Sequence, residues 1–314
     1  MVEDLAVRLK TRAQDRLPAW LEKRWPAVAA AALVVLVLVL YGVMREPAAS
    51  YKRVVSFPAP KLASALSSAQ ERLRANPQDM GALVEIGTLH FQQGKDHYPD
   101  AINELEAARE LGALDARIFY CLGVMYQEVG LYQFALEEYR RFLRHYPDDK
   151  EIRLLAAKLL YLQGGYKDAV IEYERLKFKY PNDTLVEENL GLSLLGAKDY
   201  DRAIESFNHL RSLGPDQGHR ADFYLAQIDY EKGNFKDALE HLTAAGATTA
   251  SVSGVPDDRM LPILATTYQK LAQLPEAKAA WERFLAVSPN DRKAKDALRE
   301  VTRRIPKPKK TKKG

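Results

Sequence analysis

The chain has 314 residues, of which 47% are hydrophobic and 28% are charged, close to the averages of globular proteins, so a largely disordered chain is excluded. The single cysteine, Cys121, excludes an intrachain disulfide and any metal site built on several cysteines. The formal net charge is +4, but the first 26 residues carry +2 and the last twelve carry +7, which leaves −5 for residues 27–302. A nucleic-acid-binding domain would carry positive charge on its folded body, so this distribution argues against that class.

Residues 1–25 are predicted to form an amphipathic segment on the cytoplasmic side of a membrane. Val2, Leu5, Leu9 and Leu17 recur at helical spacing among basic residues. This pattern is typical of a helix that lies on an anionic membrane surface. A short, partly ordered tail is the alternative interpretation.

Residues 26–44 are predicted to form one transmembrane helix. The eighteen residues from position 27 onward contain no charge, and as a helix they would extend about 27 Å, near the hydrocarbon thickness of a bilayer. Trp20, Trp25 and Tyr41 are expected at the membrane interface, where amphipathic aromatic side chains concentrate. A cleaved signal peptide is the alternative, although the apolar run is longer than the usual hydrophobic region of such a peptide.

Lysine and arginine flank the uncharged run unequally. Six precede it, and four follow it in residues 45–61. Because basic residues favour the cytoplasmic side, we expect the N-terminus in the cytoplasm and the C-terminal domain across the membrane. Residues 45–60 contain three prolines and are predicted to be an extended linker.

Residues 61–303 are predicted to form a helical array with a period of 34 residues. Alanine recurs at intervals of 34, 34, 34, 35 and 39 residues, at Ala101, Ala135, Ala169, Ala203, Ala238 and Ala277. Three residues before each alanine stands Tyr, Phe or Leu, and four after it stands a large apolar residue. A Gly or Ala lies twelve residues before five of these alanines, and Gly87 lies fourteen before the first. We expect the small residues where two antiparallel helices of a hairpin cross, and the aromatic residues between successive hairpins.

Prolines mark the ends of most repeats. They lie twelve residues after four of the alanines, at Pro147, Pro181, Pro215 and Pro289. Proline cannot continue a helix, so each is expected to end the second helix of its hairpin. No single hairpin can bury its apolar face, so stacked neighbours are expected to supply one continuous core.

This pattern resembles the tetratricopeptide repeat. The resemblance implies an all-α fold, a right-handed superhelical solenoid of about six helix hairpins, here preceded by the one N-terminal transmembrane helix. The units are predicted at 80–114, 116–149, 150–183, 184–217, 219–252 and 258–291, with flanking helices at 61–74 and 291–303. Residues 304–314 are predicted to be a basic, disordered tail, with contacts to anionic partners as the alternative.

Catalytic, cofactor-binding and metal-binding residues are not predicted anywhere in the chain. It contains no phosphate-binding glycine loop with its lysine, no nucleophile elbow and no HExxH sequence. His90 and His97 are seven residues apart, but the turn at Gly94 is expected to separate them. Cys121 is expected to be a small packing residue, and glutamates such as Glu138 are interpreted as part of a solvated helix face. The chain is therefore not expected to be an enzyme.

The resemblance implies a binding site, because in this family the first helix of each hairpin lines a concave groove. The candidate protein-binding residues at those positions are Val84, Phe91, Tyr120, Val124, Leu154, Leu155, Tyr161, Asn189, Leu192, Phe223, Tyr224, Gln227, Tyr230 and Ile263. Aromatic side chains are typical of interfaces, although part of this set is expected to pack between helices instead. Some family members bind a C-terminal carboxylate through Lys, Asn and Arg, and the corresponding positions here lack those cations.

These features indicate a non-catalytic, membrane-anchored scaffold that binds protein partners and organises a multi-protein assembly at the cell envelope. The chain is similar to anchored repeat proteins of bacterial envelopes, which implies a single-pass protein of the bacterial inner membrane with a periplasmic array. A structural component of a large envelope machine, such as a flagellar motor or a secretion or pilus apparatus, is one alternative. An organelle-membrane receptor with a cytosolic array and a secreted protein are the others.

Overall fold

The computed structural model describes residues 59–247 and 255–306, and regular secondary structure within these ranges is entirely helical. The predicted transmembrane helix lies outside the described residues, together with Trp20, Trp25 and Tyr41, nearly all of the linker and most of the basic tail. None of the helices in the described ranges combines the length and the hydrophobicity that crossing a bilayer requires.

Fourteen α-helices follow one another in the described residues. Their bounds are α1 Ala59–Ala75, α2 Met80–Gln93, α3 Tyr98–Glu110, α4 Ala116–Glu128, α5 Tyr132–His145, α6 Lys150–Leu162, α7 Tyr166–Lys179, α8 Thr184–Gly196, α9 Tyr200–Ser212, α10 Pro215–Lys232, α11 Phe235–Ala244, α12 Asp257–Lys270, α13 Leu274–Val287 and α14 Arg292–Arg304. Helices α2 to α13 pair as six hairpins, with α1 and α14 at the two ends. The predicted all-α array and its flanking helices are therefore confirmed.

Aspartate side chains begin several of these helices. Asp79, Asp149 and Asp183 each accept a hydrogen bond from a backbone N–H in the first turn of α2, α6 and α8, at 2.9–3.1 Å. Asp115 and Asp291 cap α4 and α14 in the same way. Such a cap satisfies a backbone donor that the helix leaves unpaired and contributes roughly 1 kcal/mol.

The glycines of the repeat lie where the two helices of a hairpin cross, as predicted. A Cβ atom added to Gly123 would lie 2.5 Å from Cε1 of Tyr139, and one added to Gly191 would lie 2.5 Å from Cε1 of Phe207. Gly87 is equally close to Leu105. Real Cβ contacts are longer than this, so the close approach of the helices requires glycine at these positions.

The large residues of the repeat divide into two groups, which corrects the expectation that all of them lie between hairpins. Tyr139 and Phe207, four residues after the repeat alanine, fill the crossing of their own hairpin. Two of the tyrosines three residues before the alanine do reach the next hairpin. The hydroxyl of Tyr98 donates to Glu128 at 3.3 Å, and that of Tyr200 donates to Glu231 at 3.0 Å.

Pro215 differs from the other prolines of the pattern. Pro147, Pro181 and Pro289 follow the ends of α5, α7 and α13, whereas Pro215 begins α10. The expectation that Pro215 ends the fourth hairpin is therefore wrong, and α10 has 18 residues because it gains a turn before position 219. Proline is tolerated in the first turn because its missing N–H would be unpaired there in any case.

Glu138 is buried, which corrects its assignment to a solvated face. Its side chain is 4% exposed and lies between hairpins, where it accepts hydrogen bonds from Arg109 of α3 at 3.1 Å and from Arg141 of its own helix at 2.6 Å. Burial raises the pKa of Glu138 although the two arginines oppose the shift. Arg109 is 29 residues away in the sequence, so no local pattern signals this pairing.

Candidate protein-binding groove

The first helices of the hairpins come closer together than the second helices. Helix α2 contacts α4, and α6, α8, α10 and α12 contact one another in succession. On the other side, surface cavities of about 500 and 590 Å³ open on the two flanks of α7, towards the α5–α6 junction and towards α9. The hairpins therefore close up on the first-helix side, which is the concave side of the array.

Most of the predicted groove residues are partly accessible on this concave side. Eleven are half-buried, namely Phe91, Tyr120, Val124, Leu154, Leu155, Tyr161, Asn189, Leu192, Gln227, Tyr230 and Ile263. Three are buried, namely Val84, Phe223 and Tyr224, with exposures of 2%, 1% and 4%. The buried three are packing residues in the isolated chain, and ligand contact by the other eleven remains a prediction.

An aromatic cluster occupies the N-terminal part of the concave side. The ring of Phe91 stacks on Tyr98 at a centroid distance of 5.8 Å and meets the edge of Tyr120 at 6.3 Å. Burial raises the pKa of Tyr120, with a further contribution from Glu151. The Tyr120 hydroxyl is thus neutral at physiological pH and can both donate and accept a hydrogen bond.

A polar network joins α8 to α10 in the C-terminal part. Oε1 of Glu188 accepts a hydrogen bond from the Tyr224 hydroxyl at 2.8 Å, and Oε2 lies 3.3 Å from Nη1 of Arg220. Burial and the charge of Glu188 raise the pKa of Tyr224, so this phenol stays protonated and donates. Nε of Arg220 is buried and lacks a hydrogen-bond acceptor among the described residues.

Arg259 of α12 adds a cation that the described residues do not neutralise. Its guanidinium lies 5.9 Å from the ring centroid of Phe223, and none of the described carboxylates lies within 4.0 Å of it. Arg259 also acts electrostatically on Tyr161 of α6, where it partly offsets the rise in pKa caused by burial and by Tyr166. The Tyr161 hydroxyl has no hydrogen-bond partner in the described ranges. The first helices of the third and sixth hairpins thus carry a phenol and a cation that influence each other electrostatically.

Three charged residues of these helices were not among the predicted groove residues, namely Glu188, Arg220 and Arg259. A usable signal exists in the helical spacing, because Arg220 lies seven residues before the predicted Gln227 and Arg259 lies four before the predicted Ile263. Residues at these spacings share one face of a helix. The predicted set consists mainly of apolar and aromatic residues, so it leaves these charges out.

The two histidines of the first hairpin are brought together, contrary to expectation. The rings of His90 and His97 stack at 5.9 Å, and Nδ1 of His90 lies 2.7 Å from Oε2 of Glu104. Within the described residues these groups do not converge on a common point where a metal ion would sit. Cys121 is fully buried, and burial strongly raises the pKa of its thiol, so it is the inert packing residue that was expected.

Comparison with known proteins supports the repeat assignment. The family model for the tetratricopeptide repeat matches residues 126–184 and 188–251, which include most of the second to fifth hairpins. A solved structure of the C-terminal part of a repeat-containing protein from Cytophaga hutchinsonii is similar in fold, with a TM-score of 0.56 and 17% identity. That similarity covers 76% of this chain and 95% of the other.

Two curated proteins are also similar over about half of the chain. Anaphase-promoting complex subunit 3 of Schizosaccharomyces pombe is 22% identical over 168 residues, 54% of this chain. The BBSome complex member BBS4 of Bos taurus is 24% identical over 173 residues, 55% of this chain. The matches span only 25% and 33% of the lengths of these relatives. Residues 126–184 and 188–251 therefore match the tetratricopeptide repeat, and the described part of the chain has the fold of an all-α solenoid.

Proposed function

We propose that this chain is a non-catalytic scaffold that binds protein partners in the concave groove formed by α2, α4, α6, α8, α10 and α12. The observation that carries the proposal is the pair of Tyr161 and Arg259, which offers a half-buried phenol and an exposed, unneutralised cation 5.9 Å from the ring of Phe223. Aromatic residues and arginine are the side chains enriched at the energetic centres of interfaces.

The similar proteins add support of a general kind. Both curated relatives are named as members of multi-protein complexes. Because they share no more than 24% identity and are far longer than the matched part, they support the scaffold type and not a particular partner.

We further propose that residues 26–44 anchor the scaffold in a bacterial inner membrane, with residues 1–25 in the cytoplasm and the array in the periplasm. The uncharged run of eighteen residues and the six basic residues before it support this arrangement. Such a protein would organise a multi-protein assembly at the cell envelope. The alternative is that it is a structural component of a large envelope machine. Contacts of the basic tail 304–314 with anionic partners belong to the same proposal.

Site-specific cross-linking in cells tests the groove. A photoreactive amino acid is placed at Tyr120 or Tyr161 on the concave side, and at Lys236 on the outer side as the control, all in the full chain. We expect discrete protein adducts from Tyr120 and Tyr161 that are absent at Lys236. Adducts of equal yield from both sides, or adducts to lipid or nucleic acid alone, would overturn the groove assignment.

Protease treatment of sealed membrane vesicles tests the topology. With intact inner-membrane vesicles whose cytoplasmic face is outward, we expect the array to resist digestion until detergent opens the vesicles. Digestion of the array in the intact vesicles would place it on the cytoplasmic side and favour the receptor alternative. Recovery of the chain in the soluble fraction would instead support a cleaved signal peptide.

A further inference from the structure

Helix α7, the second helix of the third hairpin, exposes two large apolar side chains. Phe178 is 90% exposed and Ile171 is 47% exposed. They lie seven residues apart, so both stand on one stripe of the helix. The opposite side of α7 is buried through Ala169, Tyr173 and Leu176. The two apolar residues therefore occupy the middle of a face that a surface helix normally fills with polar residues.

The other hairpins of the chain provide an internal comparison. Two residues after the repeat alanine, where α7 has Ile171, they carry Asn103, Glu137, Glu205, Glu240 and Ala279. Nine residues after it, where α7 has Phe178, they carry Glu110, Arg144, Ser212, Ala247 and Ala286. Packing of the array thus does not require an apolar residue at either position. The pair in α7 is a local exception that calls for an occupant.

Two charged residues lie between the apolar pair on the same stripe. Glu174 is 47% exposed and Arg175 is 60% exposed. Within the chain Glu174 pairs with Arg202, and Arg175 pairs with Glu172 at 2.8 Å. Because exposed pairs of this kind contribute little, they can exchange partners at small cost.

Depressions flank α7 on both sides and make it a ridge. A cavity of about 500 Å³ lies on one flank and is lined by Pro147, Ile171 and Phe178. A cavity of about 590 Å³ lies on the other flank and is lined by Ile171, Lys198 and Arg202. A second helix laid along this ridge has grooves on either side to receive its own side chains.

We propose that this face binds a second copy of the chain, with the two α7 helices antiparallel about a two-fold axis. The midpoint between Ile171 and Phe178 along the helix is also the midpoint between Glu174 and Arg175. A two-fold axis through that point places Ile171 against Phe178 of the second copy and Glu174 against Arg175 of the second copy, each twice. A two-fold interface must be self-complementary, and this stripe is so in both its apolar and its charged residues.

An unrelated partner would not need this internal symmetry, which is why the second copy is the occupant that the residues favour. The contact consists of one helix and its two flanks from each chain, so the interface is small and the dimer is expected to be weak, with a dissociation constant on the order of micromolar. The α7 face is on the outer side of the array, so the dimer leaves the concave groove open.

The proposal is tested by measuring the molecular mass of the full chain by sedimentation in a mild detergent, at protein concentrations between about 1 and 100 µM. The variant Ile171→Glu with Phe178→Ser gives α7 the residues that α9 carries at Glu205 and Ser212, so the array should fold normally, as circular dichroism would show. We expect a concentration-dependent dimer for the natural chain and at least a tenfold weaker one for this variant. The control Leu114→Ser removes another exposed apolar side chain, 73% exposed, and should dimerise like the natural chain.

Charge reversal tests the antiparallel register. Glu174→Arg alone and Arg175→Glu alone each place like charges together across the axis and should weaken the dimer, whereas the double exchange should restore it.

A natural chain that stays monomeric throughout the concentration range would overturn the proposal. So would a dimer indifferent to the Ile171 and Phe178 changes, failure of the double exchange to restore association, or capture of a different protein on this face in place of the second copy. Arg259→Glu, which alters the groove, should not change the dimer, so failure here is distinguishable from failure of the groove assignment.

Discussion

At the scale of single residues, the turn between the two helices of a hairpin needs one residue with a left-handed backbone. Gly130, Gly164 and Gly233 supply it with φ values of 82°, 76° and 83°. The fourth and sixth hairpins place Lys198 and Ala272 there instead, with φ values of 60° and 58°. For an L-residue this conformation is about 1–2 kcal/mol less favourable than the right-handed one, so these two turns are strained.

Ala272→Gly is therefore expected to stabilise the chain by about 0.5–1 kcal/mol, because relief of the strained turn exceeds the added freedom of glycine in the unfolded chain. The measurement is the urea concentration at the midpoint of unfolding of the full chain, with unfolding monitored by circular dichroism. Gly164→Ala makes the reverse change in the third hairpin and should lower the midpoint. An unchanged or lower midpoint for Ala272→Gly would contradict the strain assigned to this turn.

Asp115 links stability to pH. Burial opposes its ionisation, but hydrogen bonds from the side chain and backbone of Arg117 outweigh that effect and hold the pKa of Asp115 below its usual value. A carboxyl group with a lowered pKa stabilises the fold above its unfolded pKa of about 3.9, and this contribution is lost as the pH falls through the folded pKa.

Asp115→Asn keeps a side chain that caps helices well but removes the charge. We expect it to lower the free energy of unfolding by about 1 kcal/mol at pH 7, the net size of one typical hydrogen bond, and by less at pH 3. Urea unfolding of both chains between pH 3 and pH 7 measures the difference. A loss of equal size at both ends of this range would show that the charge of Asp115 is not the cause.

At the scale of elements, the crossing of two helices in a hairpin depends on the size of one residue. Gly191 lies so close to Phe207 that an added Cβ would meet three ring atoms at 2.5–2.9 Å. Gly218 in α10 would meet only atoms of Arg211, at 3.8 Å, which is an ordinary contact. Both glycines lie within helices, so replacing either by alanine raises helix propensity. The difference in stability between the two alanine variants therefore reports the effect of packing.

Gly191→Ala is expected to destabilise the chain by about 1–2 kcal/mol, because overpacking against the buried Phe207 ring exceeds the gain in helix propensity. Gly218→Ala has no such clash and should stabilise it by up to about 1 kcal/mol. Thermal unfolding of the two variants measures both effects. Stabilisation by Gly191→Ala would contradict the close crossing of α8 and α9.

The close crossings within hairpins could be predicted from the sequence because the residues that form them act locally. Gly191 and Phe207 stand at fixed distances from Ala203, and this spacing repeats along the chain. Pro215 was misassigned because the same residue can follow one helix or begin the next, and only the backbone decides. The buried Glu138 was missed because its partner Arg109 belongs to another hairpin. Protein binding by the groove stays a prediction, and the charged residues on the same helices became evident only from the distances between α8, α10 and α12.

At the scale of the whole molecule, the hairpins of the array mainly contact their neighbours in sequence. Stability in such an array is close to a sum of local contributions, and distant surfaces vary independently. Arg259 of the groove belongs to the sixth hairpin and Phe178 of the outer face to the third, so these two surfaces can be changed one at a time. This independence allows one chain to bind a partner in the groove and a second copy on its outer side.

The most direct test of the scaffold assignment is the affinity of the full chain for the protein trapped by groove cross-linking, measured by titration calorimetry. The groove variant is Tyr161→Ala with Arg259→Glu, and its matched control is Tyr132→Ala with Arg140→Glu on the outer side. We predict that the groove variant binds at least tenfold more weakly, about 1.4 kcal/mol or more, while the control binds like the natural chain. Equal affinity for the natural chain and the groove variant would contradict the account.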